Sequence, residues 1–134
     1  MTYIMQIQKK IIVLSLLLTV SIYSYAAQAQ DQSVQQEFNE VFNKMLDNPA
    51  DVDLIIKYAN LAIELKDYEA AIPALERLLL FNPDLPKIKQ ELGVLYYRLN
   101  SFDMAKYYLE SAKAGKNVPQ DVIDLVNQYL SKIK

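Results

Sequence analysis

Shifting the chain against itself until Pro49 falls on Pro83 also brings Ala59 onto Gly93, Ala71 onto Ala105 and Leu75 onto Leu109. A period of about 34 residues is the mark of a stacked supersecondary unit rather than of one irregular globule. Within each period, two stretches of about 14 residues with helical apolar rhythm flank a short polar break, Lys66-Asp67 in the first and Asn100-Ser101 in the second. Each unit therefore reads as a pair of antiparallel helices. No strict apolar-polar alternation of strand length occurs after residue 29, so an all-α fold without a sheet is expected.

The residue types at the repeated slots have a packing reason. Paired helices approach to roughly 8 to 10 Å between axes, and only Gly or Ala at a crossing permits the closest contact. Ala59, Gly93, Ala71 and Ala105 are the expected crossing points. The boundaries carry matching signals. Asp51 and Ser101 are candidate N-caps, Pro86 suits a first helical turn, and Pro119 opens a last helix. Pro73 conflicts with this pattern, because it removes a backbone donor inside the helix that begins near Tyr68.

Leu92, Gly93, Tyr96, Ala105, Leu109 and Ala112 in the second unit, and Tyr58, Ala59, Ala62, Ala71, Leu75, Leu78 and Pro83 in the first, resemble the tetratricopeptide repeat in order and spacing. The likeness covers about Val52 to Pro119. Departures are Ile55 and Lys89 in the tryptophan slot, Ala62 where a tyrosine is commoner, and Asn117 in place of a third proline. The resemblance implies a short right-handed superhelix of about six helices. Its parts would be a half repeat over 30–51, repeats over 52–85 and 86–119, and a capping helix over 120–134. Phe38, Val41, Phe42, Met45 and Leu46 give the half repeat its apolar rhythm, and Val122, Ile123, Leu125, Val126, Tyr129, Leu130 and Ile133 give the cap its own, with Asp121, Asp124 and Lys132 toward water.

The resemblance also implies a binding face. In the first helix of each unit a second stripe runs beside the core stripe, Ile56, Asn60 and Ile63 in one and Gln90, Val94 and Tyr97 in the other. In the family this stripe lines a concave groove that holds protein segments, and Lys57, Glu64, Lys87 and Arg98 would border it. Capture of free carboxyl termini, known among chaperone-binding members, is not expected: Asn60 fits that clamp, but Ile56 and Glu91 fill slots that need a lysine and an asparagine. An extended or helical protein segment with apolar anchors is the expected partner.

Other function classes fall away on composition. The chain has no Cys and no His, which removes thiol chemistry, imidazole catalysis and the usual zinc and haem ligands. Two glycines, Gly93 and Gly115, are too few for a phosphate-cradling loop. Glu64, Asp67 and Glu69 cluster only at a hairpin turn, where solvated acids are ordinary, so neither an enzyme nor a cofactor is expected.

At the amino terminus, Lys9 and Lys10 precede an uncharged run from Ile11 to Gln30, and Ala27-Gln28-Ala29 has the small-x-small form of a cleavage site. This is the layout of an export leader over 1–29, and it places the protein in a periplasm or outside the cell. The alternative is a retained anchor, since the run from Ile11 to Gln30 is nominally long enough to span a bilayer. Loss of Lys9 and Lys10 leaves 12 basic and 16 acidic residues, a net charge of −4 that argues against nucleic acid. The run from Asp67 to Glu110, with Val118 to Val122, resembles the exported tetratricopeptide module that precedes an outer-membrane β-barrel in some bacterial proteins. Without a barrel, the expectation is a free-standing adaptor or a truncated relic.

Overall fold

The computed structural model describes residues 28–133. All but two residues of the expected leader lie outside that range. Six helices occupy the described residues: α1 (28–47), α2 (Val52–Glu64), α3 (Tyr68–Phe81), α4 (Pro86–Arg98), α5 (Phe102–Lys113) and α6 (Gln120–Leu130). No strand occurs among them. Helices α2 and α3 form one antiparallel hairpin, α4 and α5 a second; α3 packs on α4, and α6 closes against α4 and α5. The architecture is an all-α array of the tetratricopeptide type.

The hairpins are made at their turns. Lys66 and Asn100, one period apart, both hold positive φ, 61° and 59°. After α2, the Asp67 amide donates back to the Ala62 carbonyl at 2.8 Å and the Lys66 amide to Ile63 at 3.0 Å. After α4, Ser101 and Asn100 donate to Tyr96 and Tyr97 at 2.9 and 3.0 Å. Each turn is thus a Schellman closure, which satisfies the last carbonyls of one helix and reverses the chain. The residue after the closure begins the next helix. Asp67 caps α3 through the Ala70 amide at 3.0 Å, and Asp51 caps α2 through Asp53 and Leu54. Ser101 occupies the N-cap position of α5, but its hydroxyl makes no capping bond, so the expected side-chain cap is absent there. Helix α3 runs unbroken past Pro73, which lies on its exposed side; the Glu69 carbonyl deprived of a donor is on that same side, where solvent can serve it.

One buried cluster joins both hairpins: Ile55, Ala59 and Ala62 from α2, Ala71, Ile72, Ala74, Leu75 and Leu78 from α3, and Leu92 and Leu95 from α4. Leu109, Ala112, Val122 and Val126 form a second cluster under α6. Helix α1 adds Phe38 and Met45 at the edge of the first, where Phe38 stacks on Tyr58 with centroids 4.7 Å apart. The crossing of α4 over α5 is the tightest point described. A Cβ on Gly93 would lie 2.6 Å from Leu109 Cγ and 3.1 Å from the Leu109 backbone nitrogen, so only glycine fits without displacing the neighbouring helix.

Two substitutions should move stability in opposite senses. A mid-helix Gly→Ala change ordinarily stabilises, yet Gly93→Ala is expected to destabilise, and Gly93→Leu to cost about 1 to 3 kcal/mol by overpacking. Lys66→Gly should stabilise by about 0.5 to 1 kcal/mol, because it relieves a side chain held at positive φ. Urea unfolding followed by circular dichroism reads both.

Candidate protein-binding face

Because α3 packs on both α2 and α4 while α2 and α4 form no packing pair of their own, a gap is left between the two first helices. Two hollows lie along it. The first, about 490 Å³, is lined by Val52 and Ile56 of α2, Leu78 and Phe81 of α3, the segment from Leu85 to Ile88 and Pro119. Its walls are apolar apart from Asn82 and Lys87, and Ile56 and Phe81 remain 39% and 52% exposed. The second, about 310 Å³, is lined by Ile63 of α2, Gln90, Glu91, Val94, Leu95 and Arg98 of α4, and Leu125 and Tyr129 of α6. A slightly larger hollow beside α1 is mostly polar, with Gln28, Asp31, Gln32 and Gln35 among its walls.

The ten residues of the expected groove divide accordingly. Ile56 and Lys87 line the first hollow; Ile63, Gln90, Val94 and Arg98 line the second. The other four are placed elsewhere. Lys57 turns toward α1 and pairs with Glu37 at 2.7 Å. Asn60 and Glu64 are exposed and line neither hollow. Tyr97 is wedged against Phe102 and Tyr129, with ring centroids 5.6 and 5.1 Å away. The slots shared between the two units are otherwise occupied as follows: Ala59, Ala71, Leu75, Leu92, Gly93, Ala105, Leu109 and Ala112 are buried, Tyr58 and Tyr96 half-buried, and Pro83 exposed in the α3–α4 loop.

Two side-chain constellations outside the sequence expectations hold this face in shape. Glu76 on α3 accepts hydrogen bonds from the hydroxyls of Tyr96 on α4 and Tyr108 on α5, both at 2.9 Å, and the two rings stack with centroids 5.5 Å apart. The carboxylate thus ties the first hairpin to both helices of the second. Nothing in the sequence pattern announces it, since the partners are 20 and 32 residues away. Burial first, and then the Glu76 hydrogen bond and charge, push the Tyr96 hydroxyl up to about 12 and raise that of Tyr108 still further. The second constellation fixes Arg98: its Nη1 donates to the Tyr68 hydroxyl at 2.7 Å, and its guanidinium lies 5.4 Å from the centre of that ring. The expected split of each tyrosine pair into one core and one exposed ring is not what occurs. Tyr96, Tyr97 and Tyr108 are all half-buried because their hydroxyls or edges have polar or aromatic partners, and only Tyr107 is largely exposed.

Stacked helical hairpins with an uncovered inner face define a helical-repeat protein. The family model for the tetratricopeptide repeat matches residues 52–85, the span of the α2–α3 hairpin and the loop that follows. No curated protein matches the chain. Repeats of this family generally bind protein partners and are typically non-catalytic. Among the described residues, no helix is long and apolar enough to cross a membrane, and no group of three or more carboxylates could hold a metal ion.

The tyrosine shifts give a pH dependence. Their pKa values lie above 10 when folded and near 10 when unfolded, so their contribution is complete below pH 10 and is lost as pH rises through about 12. Folding stability should fall across that window, with late ionisation of two tyrosines in an ultraviolet titration. Glu76→Gln should bring both ionisations earlier and shrink the fall.

Proposed function

We propose that this chain is an exported, non-catalytic adaptor or scaffold of the bacterial cell envelope that binds protein partners through the face between α2, α4 and α6. The observation that carries this reading is the first hollow, where Val52, Ile56 and Phe81 present apolar surface that no part of the described chain covers. Its repeat setting supports a protein as the occupant. The non-catalytic part rests on chemistry: Asp67, one of the three clustered acids, is committed to capping α3, and the chain has no imidazole or thiol to act as a base or nucleophile. Export rests on the leader pattern over 1–29, and the bacterial envelope on the likeness to the module that precedes outer-membrane barrels.

The test is a crosslinking pull-down from cells that make the protein, with three versions compared. Wild type should capture one or a few partners. Ile56→Asp combined with Val94→Asp should lose them while keeping the wild-type helical signal, because the change is confined to the hollows. Leu80→Asp, on a residue 84% exposed and lining neither hollow, should retain them. Capture that survives the double change in a folded protein would move the binding surface elsewhere.

A further inference from the structure

The two hollows have a fixed spacing, and the spacing selects a shape. Ile56 lines the first and Ile63 the second; Lys87 lines the first and Val94 the second. In both helices the interval is seven residues, about 10.5 Å along the axis at 1.5 Å per residue. The hollows therefore follow one another along α2 and α4 rather than across them. An extended strand places same-face side chains about 6.7 Å apart, or about 13.4 Å for the next, and neither matches. A helix places residues i and i+7 about 10.5 Å apart on the same face.

Charge adds a direction. Arg98 lies one turn beyond Val94 at the far edge of the second hollow, and Tyr68 holds its guanidinium in place. The ion pairs among the described residues are Lys57 with Glu37 and Lys106 with Glu110, so neither Arg98 nor Lys87 is neutralised by a carboxylate there. A guanidinium oriented by one donor keeps further donors for a carboxylate. Glu91, one turn from Lys87, is the acid on the same wall, and it lies about 10 Å along the axis from Arg98.

We propose that this face takes a helix from a partner protein, lying along α2 and α4, with two large apolar side chains seven residues apart in the two hollows and an acidic residue one turn further on against Arg98. The proposal rests on the protein-binding reading above and specifies its ligand. The larger anchor enters the hollow of about 490 Å³ and the smaller the one of about 310 Å³. The recognised pattern is a bulky apolar residue, six variable ones, an aliphatic residue, three variable ones and Asp or Glu, or the same pattern reversed.

A library of random 16-residue peptides displayed on phage and selected on the full chain tests it. The expected winners carry that pattern and gain helical circular dichroism on binding. A synthetic winner should bind about tenfold or more weakly to Ile56→Asp and to Arg98→Glu, and changing its acid to lysine should restore affinity for Arg98→Glu alone. Winners with proline, or with anchors at strand spacing, that still depend on Ile56 would overturn the helix and leave the protein-binding face intact. Winners indifferent to Ile56→Asp would remove both readings, as would a selection with no enrichment.

Discussion

Everything on the inner face depends on how closely the two helices of a hairpin approach. At Gly93 a missing side chain lets α4 settle onto Leu109, and Ala59 occupies the equivalent place one period earlier. With those contacts taken up inside each hairpin, α3 becomes the wedge that joins the hairpins, and α2 and α4 are left side by side without packing together. The gap between them is the groove. A bulkier residue at the crossing would tilt α4 and shift Lys87, Gln90, Val94 and Arg98 together, so the site is a consequence of core geometry rather than an addition to it.

Much of this was written in the periodicity. Four residue pairs at one spacing gave the hairpins, and coincidence of Gly93 with a repeated slot gave the crossing. The polar breaks at Lys66 and Asn100 marked the turns, but not the positive φ by which each turn is closed, because Lys carries no conformational signal of that kind. The binding stripe was legible as a face and not as a shape. Six of its ten residues line the two hollows, while Tyr97 is drawn into an aromatic contact and Lys57 into a pair with α1, choices made by neighbours that are remote in sequence. Leu125 and Tyr129 looked like part of the cap's buried line, yet they also wall the second hollow.

The Glu76 tie shows why a repeat pattern misses such contacts. Its counterpart one period later, Glu110, is exposed and meets Lys106 at 4.0 Å, because the residue one period after Tyr96 is Leu130, which has no hydroxyl to give. The interaction occurs once, at the junction between hairpins, and so leaves no echo. It nevertheless fixes the relation between α3, α4 and α5, and with it the width of the groove. At the ends of the array the two outer helices differ: α6 turns Asp121, Asp124, Asn127 and Gln128 to solvent, whereas α1 leaves Phe42 and Leu46 exposed.

Methyl-resolved nuclear magnetic resonance on chain labelled at Ile, Leu and Val tests the central claim most directly, since the groove and the outer surfaces carry distinct methyl groups. On addition of a peptide recovered by selection, the account predicts shifts concentrated at Ile56, Ile63, Ile88, Val94 and Leu125, with Leu46 and Leu80 unchanged. Saturable shifts at Leu46 or Leu80 with the groove methyls silent would contradict it.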